Sequence, residues 1–373
     1  MGIKDTVVGL YIKNYLIPRN QILDKPGFIA FNLSGKSSIF VRQVIIPESF
    51  FVNLEKKLIE QLGDEGKQIL YSTGKRFGYR FALLGNFVTK NSVSSDELQD
   101  NLAIITKFIE GTYASEISAQ TNLAIPKVEF TISRFVVIEK LGYGYFLPLG
   151  AAAGLMSRLF DDPHIECGQL PSLDNKQRIL CAPNIFLTGE KIQHFEETDL
   201  SKLEIERDYR ALNEISQITN STRSFQQMID SKLFSYHEGI ITRGEERYFI
   251  YEVSGLYLLE LTLSNNKKTS STFYDCAFQT GANSIVTEKT SADIINLLSA
   301  FGWGDPVILT KDGKYRVIVT HYPWTQFFSE ISFQMFCGIV SGMLSKIANR
   351  PVNVKLTSKT TNQGSLAIVL DEA

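Results

Sequence analysis

The chain predicts an α+β protein with antiparallel sheets, built by doubling one mixed unit. Three observations carry that expectation. Two stretches of like pattern begin at Gly27 and Gly239. Short β-rich runs alternate with turn residues, as at Lys311-Asp312-Gly313 between PVILT and KYRVIVTHY, and Asp-Gly between two such runs is a strong hairpin signal. Finally, GAAAGLMSRLFDDPHIEC and MFCGIVSGMLSKIANRPVNVKL each read as a small-residue apolar helix followed by a Pro-led extended segment.

Taken in order, GFIAFNLSGKSSIFVRQVIIPESFF from Gly27 reads as a Gly-led hairpin running into an apolar helix, and ILYSTGKRFG ends at Gly78. The matching second copy is GIITRGEERYFIYEVSGLYLLELTL followed by TFYDCAFQTG, ending at Gly281, with Tyr71 and Tyr274 on comparable turns. Gly154 on one side, and Gly338 or Gly342 on the other, would let helices approach closely. Beyond them the second copy continues as a helix over 291–300, a turn at FGWG, the Asp-Gly hairpin, and a last strand QGSLAIVL pairing with NVKLTS. Residues 185–233 look helical and polar, a connector.

At 373 residues the chain is long enough for two or three domains, each with its own core. Hydrophobic residues at 44% and charged residues at 21% leave no long segment of disorder-prone composition. A formal net charge of −2 excludes holding nucleic acid by a global basic excess, so any DNA contact must be local. The amino-terminal segment lacks a signal-peptide pattern, and no window reaches the ~18 apolar residues of a spanning helix, which predicts a cytoplasmic protein without a membrane partner. Four cysteines are too few for a disulfide framework, so reduced thiols are expected. Cys167 and Cys181, near Glu166 and His164, could hold a metal if the intervening loop folds back; two half-buried thiols are the plainer reading.

No phosphate-cradling, dinucleotide-binding, nucleophile-elbow or zinc-protease motif occurs, and the four histidines are scattered, so no catalytic residue is expected. STGKRFG falls within a helix pattern, where Lys75, Arg76 and Arg80 read most simply as a solvated face.

The pattern FGWGDPVILTKDGKYRVIVTHYPW with FCGIVSGMLSKIANRPVNVKLTSKTTNQGSLAIVL resembles the four-vinyl-reductase domain family, which shares its fold with transport-protein-particle (TRAPP) subunits. The likeness covers most of 234–370 and, more loosely, 24–90 with 150–187. It implies two α/β sensor modules, often dimeric, each with a mostly apolar internal pocket and no chemistry of its own. Many members hold zinc through a Glu and cysteines on the last hairpin; Leu356, Lys359 and Ala367 stand at those places here and cannot, so zinc, if it binds, falls to Glu166, Cys167 and Cys181. Trp303, His321, Tyr322, Trp324 and Cys337 are the expected pocket lining, because aromatic walls with a few polar tips are what small ligands use.

ASEISAQTNLAIPKVEFTISRF, residues 114–135, poses a separate question. Ile117 and Leu123 are spaced to pack inward, Asn122 tolerates a turn, and Pro126 suits a first helical position. Val128, Ile132, Phe135 and Val136 form an i, i+4, i+7, i+8 stripe. With LQDNLAIITKFIEGT before it and LGYGYFLPL after it, the segment resembles the winged helix-turn-helix family, which would put Lys127, Thr131 and Arg134 toward DNA. Its balanced charges argue against a basic recognition face and leave dimerisation or partner docking open.

The resulting expectation is a first module over 1–90 with 149–187, an inserted winged-helix segment over 91–148, a connector over 188–233, and a second module over 234–373. Functionally it is a homodimeric, ligand-sensing transcription regulator without a required cofactor, responding to a small apolar or aromatic ligand. The alternative is a non-enzymatic, TRAPP-like interaction scaffold without DNA binding.

Overall fold

The structure is a computed structural model, described here for residues 22–32, 40–84, 87–92, 94–112, 116–123, 125–135, 146–174, 176–187, 195–196, 198–200, 218–237, 240–324, 331–362 and 365–373. It is α+β, with all described strand pairs antiparallel. The first run comprises β1 (Ile22–Lys25), β2 (Phe28–Asn32), β3 (Phe40–Pro47), α1 (Glu48–Leu62), α2 (Asp64–Leu84), α3 (Ser95–Thr112), β4 (Glu116–Asn122), β5 (Lys127–Ser133), α4 (Phe146–Phe160), β6 (Ile165–Leu173) and β7 (Lys176–Pro183). Short helices α5 (Asn184–Leu187) and α6 (Phe225–Asp230) follow.

The second run repeats that order: β8 (Ser235–His237), β9 (Ile240–Arg243), β10 (Glu246–Glu252), α7 (Val253–Ser264), α8 (Ser270–Ser284), α9 (Ser291–Ala300), β11 (Asp305–Lys311), β12 (Lys314–Tyr322), α10 (Gln334–Ala348), β13 (Val354–Asn362) and β14 (Ser365–Glu372). The four-stranded sheets have the same strand order, β4-β5-β7-β6 and β11-β12-β14-β13. Among the described residues the doubling therefore extends into 91–148: α3, β4 and β5 are the counterparts of α9, β11 and β12, so these elements belong to the repeat and are not a guest within it.

The chain divides into two compact units that do not coincide with the repeats. One comprises Met1–Leu54, Asp208–His237 and Ile241–Ala373; the other comprises Glu55–Arg207 and Glu238–Ile240. In the first unit the strands of both repeats build one six-stranded sheet, β1-β2-β3-β10-β9-β8. Its seam pairs Ile45 with Ile250 and Val44 with Tyr251. Phe51, at the start of α1, packs on this sheet with ring centroids 4.9 Å from Tyr251 and 5.5 Å from Phe249.

Within each repeat, a long helix and the small-residue helix lie almost backbone to backbone. A Cβ added at Gly154 would stand 1.9 Å from the Lys75 carbonyl oxygen, and one at Gly342 would stand 2.0 Å from the Phe278 carbonyl oxygen. Only glycine permits that separation.

The described residues of 114–135 are not a helical pair. β4 and β5 form a hairpin in which Ala119 faces Phe130 and Thr121 faces Val128. Val128, Phe130 and Ile132 are buried on one side of the strand, a period of two. Leu123 and Pro126 lie at the turn, where the Asn122 side chain accepts a hydrogen bond from the Ile125 N–H at 3.2 Å. Val136 lies outside the described residues.

Within the expected connector the described residues include α6, while 188–194, 197 and 201–217 lie outside the described residues. No described helix is long and apolar enough to cross a membrane.

Candidate ligand site

Trp303, Tyr322, Trp324 and Cys337 converge, and all four are buried. Each reaches the cluster from a different local device. Trp303 sits in the FGWG turn, between Gly302 at φ 83° and Gly304 at φ 95°, conformations that suit glycine. The Arg42 guanidinium, from β3, steadies this turn by donating to the carbonyl oxygens of Gly27 and Gly302, both at 3.1 Å. Tyr322 ends β12 just past an irregularity in the ladder, where His321 adopts φ 55°. A bulge of this kind re-aims the following side chain.

Tyr322 is the hub. Its ring centroid lies 5.1 Å from Phe336, 5.3 Å from both Trp324 and Phe333, and 6.0 Å from Trp303. Tilted and edge-to-face pairs at these separations are favourable beyond their buried area. His321 is buried too, with its ring Nδ1 2.9 Å from the Ser365 hydroxyl.

Close enough to act on Tyr322 and Cys337 is Glu260, wholly buried on α7. It accepts the backbone N–H groups of Gln334 and Met335, the latter at 3.3 Å. Phe333, immediately before α10, is left-handed at φ 56° and has no capping side chain of its own, so Glu260 supplies the cap from another helix. Burial, outweighing those two hydrogen bonds, raises the Glu260 carboxyl to about 8. Burial first, and then Glu260, pushes the Cys337 thiol up to about 12. The same pair of influences, with Cys337 added, lifts the Tyr322 hydroxyl well above its ordinary value. Thiol and phenol are therefore neutral, and neither is poised as a nucleophile.

The first repeat offers a built-in comparison. Ser133 and Thr320 occupy equivalent ladder positions, opposite Glu116 and Asp305. Each is followed by a left-handed residue, Arg134 at φ 50° or His321 at φ 55°. The next residue is Phe135 in one repeat and Tyr322 in the other. Likewise Gly150 and Gly338 abut the carbonyl oxygens of Tyr71 and Tyr274, which sets Leu149 opposite Cys337. Hydroxyl and thiol thus belong to the second repeat alone.

The expected metal ligands do not form a metal site. Cys167 and Cys181 face each other across β6 and β7, with Cα atoms 4.1 Å apart, and are joined as a disulfide. This corrects the expectation of reduced thiols: the fourteen-residue separation spans a hairpin that lays the two positions directly opposite. Glu166 is engaged elsewhere. One carboxylate oxygen accepts from Lys75 Nζ at 2.5 Å and the other from the Tyr71 hydroxyl at 2.5 Å. The Tyr71 oxygen in turn accepts the Cys167 N–H at 2.9 Å, and Phe195 stacks on the Tyr71 ring at 3.8 Å. Among the described residues no group of three metal-ligating side chains converges. Lys75 and Arg80 are buried, not a solvated face.

The proposed DNA contacts also lack a helix. Lys127 and Thr131 lie on β5, an interior strand of its sheet, and Arg134 follows it in the left-handed region. Between Lys127 and Thr131, Glu129 pairs with Arg178 of β7, with 2.6 Å between charged atoms.

No known protein family and no curated protein matches the sequence, so the four-vinyl-reductase likeness rests on residue pattern alone. Among solved structures, the chain is similar to the phenol-responsive sensory domain of the transcription activator PoxR, solved with phenol. The two are 18% identical with a TM-score of 0.34, over 46% of this chain and 90% of that one. The likeness is too slight to assign a ligand.

Proposed function

We propose that the chain is a non-enzymatic, ligand-sensing regulatory protein whose second repeat receives a small aromatic or apolar molecule among Trp303, Tyr322, Trp324, Phe333 and Phe336. One observation carries this reading. At matched positions the first repeat has Phe135 and Leu149, whereas the second buries the hydroxyl of Tyr322 and the thiol of Cys337. Stability alone favours the apolar choice at Tyr322, whose hydroxyl has no hydrogen-bond partner among the described residues, because such a buried group costs about 1–3 kcal/mol. Placing polar tips inside an aromatic wall is how small-molecule sites gain selectivity. The site borders a helix whose first turn is capped from a distance by Glu260, a contact through which occupancy could shift α10. No DNA-contacting element is assigned, since Glu116–Asn122 and Lys127–Ser133 pair as a hairpin.

The tight ring separations also suit a filled core, in which case the chain acts as an interaction scaffold. Both tryptophans of the sequence stand in the cluster, so intrinsic fluorescence reads this site alone. Titration of the full chain with benzyl alcohol should give a saturable change in tryptophan emission. A response that is absent, or that rises linearly to the solubility limit, favours the scaffold.

A further inference from the structure

We propose, resting on the reading of this cluster as a ligand site, that its ligand is a neutral molecule with an apolar or aromatic body and a hydrogen-bond-accepting oxygen, held by Tyr322 and Trp324. Both the Tyr322 hydroxyl and the Trp324 indole N–H are buried, and among the described residues neither has a hydrogen-bond partner. Native interiors seldom leave such atoms unmet. Here two occur on rings 5.3 Å apart and nearly perpendicular, at 88°.

Their chemistry limits what can complete them. An indole N–H only donates, so its partner must accept; a phenol can donate alongside it. An ether, ketone or hydroxyl oxygen meets that requirement. A hydrocarbon leaves both donors unmet, and an ammonium brings further donors where an acceptor is needed. A carboxylate would accept, but its charge would have to be stripped of water in the same interior whose burial raises the Glu260 carboxyl to about 8.

The test is calorimetric titration of the full chain with three probes of similar shape: acetophenone, cumene and benzoate. Acetophenone should bind at least about tenfold more tightly than cumene, equivalent to about 1.4 kcal/mol. Benzoate should be weaker than acetophenone. Tyr322→Phe and Trp324→Phe should each narrow the acetophenone preference, and together bring it within about threefold. Tyr322→Phe installs the side chain that the first repeat already carries at the matched position, and the probe comparison in the unaltered chain needs no variant at all. Equal binding of acetophenone and cumene would overturn this inference while leaving a ligand site in place. Tighter binding of benzoate would overturn the neutral class. No binding of any probe would remove the ligand site itself, and this inference with it.

Discussion

Glu55 and Glu260 occupy the same place in the two repeats. Each is a fully buried glutamate that accepts backbone N–H groups where the small-residue helix begins, Phe146 at 2.9 Å for Glu55 and Gln334 with Met335 for Glu260. Neither helix draws this cap from its own sequence neighbours. Burial raises the carboxyls to about 7 and about 8.

The sign of the resulting pH dependence follows from linkage. A carboxyl raised from 4.5 keeps its proton in the folded chain at a pH where the unfolded chain has lost it. Stability is therefore fully present below about pH 4.5 and declines as pH rises through 7 to 8, by on the order of several kcal/mol in total. Glu55→Gln and Glu260→Gln keep an acceptor oxygen and remove the titration. Urea midpoints measured from pH 5 to 9 should flatten in these variants; an unchanged slope would show that the decline arises elsewhere.

Lys75→Met should be among the more damaging single changes. It strands Glu166 in the interior, and breaking a buried pair from one side costs about 3–5 kcal/mol. The double variant Lys75→Met with Glu166→Leu should recover much of that loss. Chemical denaturation of the three proteins checks this, and equal stability of the single and double variants would contradict it.

Two thiols per chain should react after denaturation without reductant, and four after reduction, because Cys167 and Cys181 are joined while Cys276 and Cys337 are buried outside that bond. Closing a loop of this length stabilises by about 3 kcal/mol on a chain-entropy model. Cys167→Ser with Cys181→Ser should accordingly lower the melting temperature, to the value of the parent melted with reductant.

Gly154→Ala and Gly342→Ala should each destabilise by about 3 kcal/mol or more, since the added methyl meets backbone and not a yielding side chain. Thermal melting decides, and a loss within about 0.5 kcal/mol would mean the helices separate freely.

The second repeat was largely legible from sequence. The Asp-Gly turn and the alternation of Val317 and Val319 on one face of β12 mark that hairpin without ambiguity. β5 was misread because Val128 and Ile132 satisfy a helical spacing and a strand spacing alike. Phe130, between them, decides the matter, because it is buried on the same face. The disulfide had a readable signal: Asp174 lies midway between Cys167 and Cys181, so a hairpin turning there sets them opposite. Of the candidate ligand site, the aromatic lining could be anticipated, but Glu260, Arg42, Phe333 and Phe336 could not. Glu260 is a single charge in the apolar run LYLLELTL, and only contact with a distant helix start explains its burial. Lys75 and Arg80 look like surface residues until α2 packs against α4.

The seam between β3 and β10 also bears on how the molecule can be taken apart. Each repeat supplies half of one continuous sheet, so a cut at the sequence midpoint would not liberate two finished pieces. A fragment beginning at residue 218 would bare the margin of β10, with Tyr248, Phe249, Ile250 and Tyr251 suddenly lacking a neighbour. Such a raw edge recruits whatever strand it meets. A single copy of this unit, taken alone, would therefore carry an open margin that its sister copy now covers.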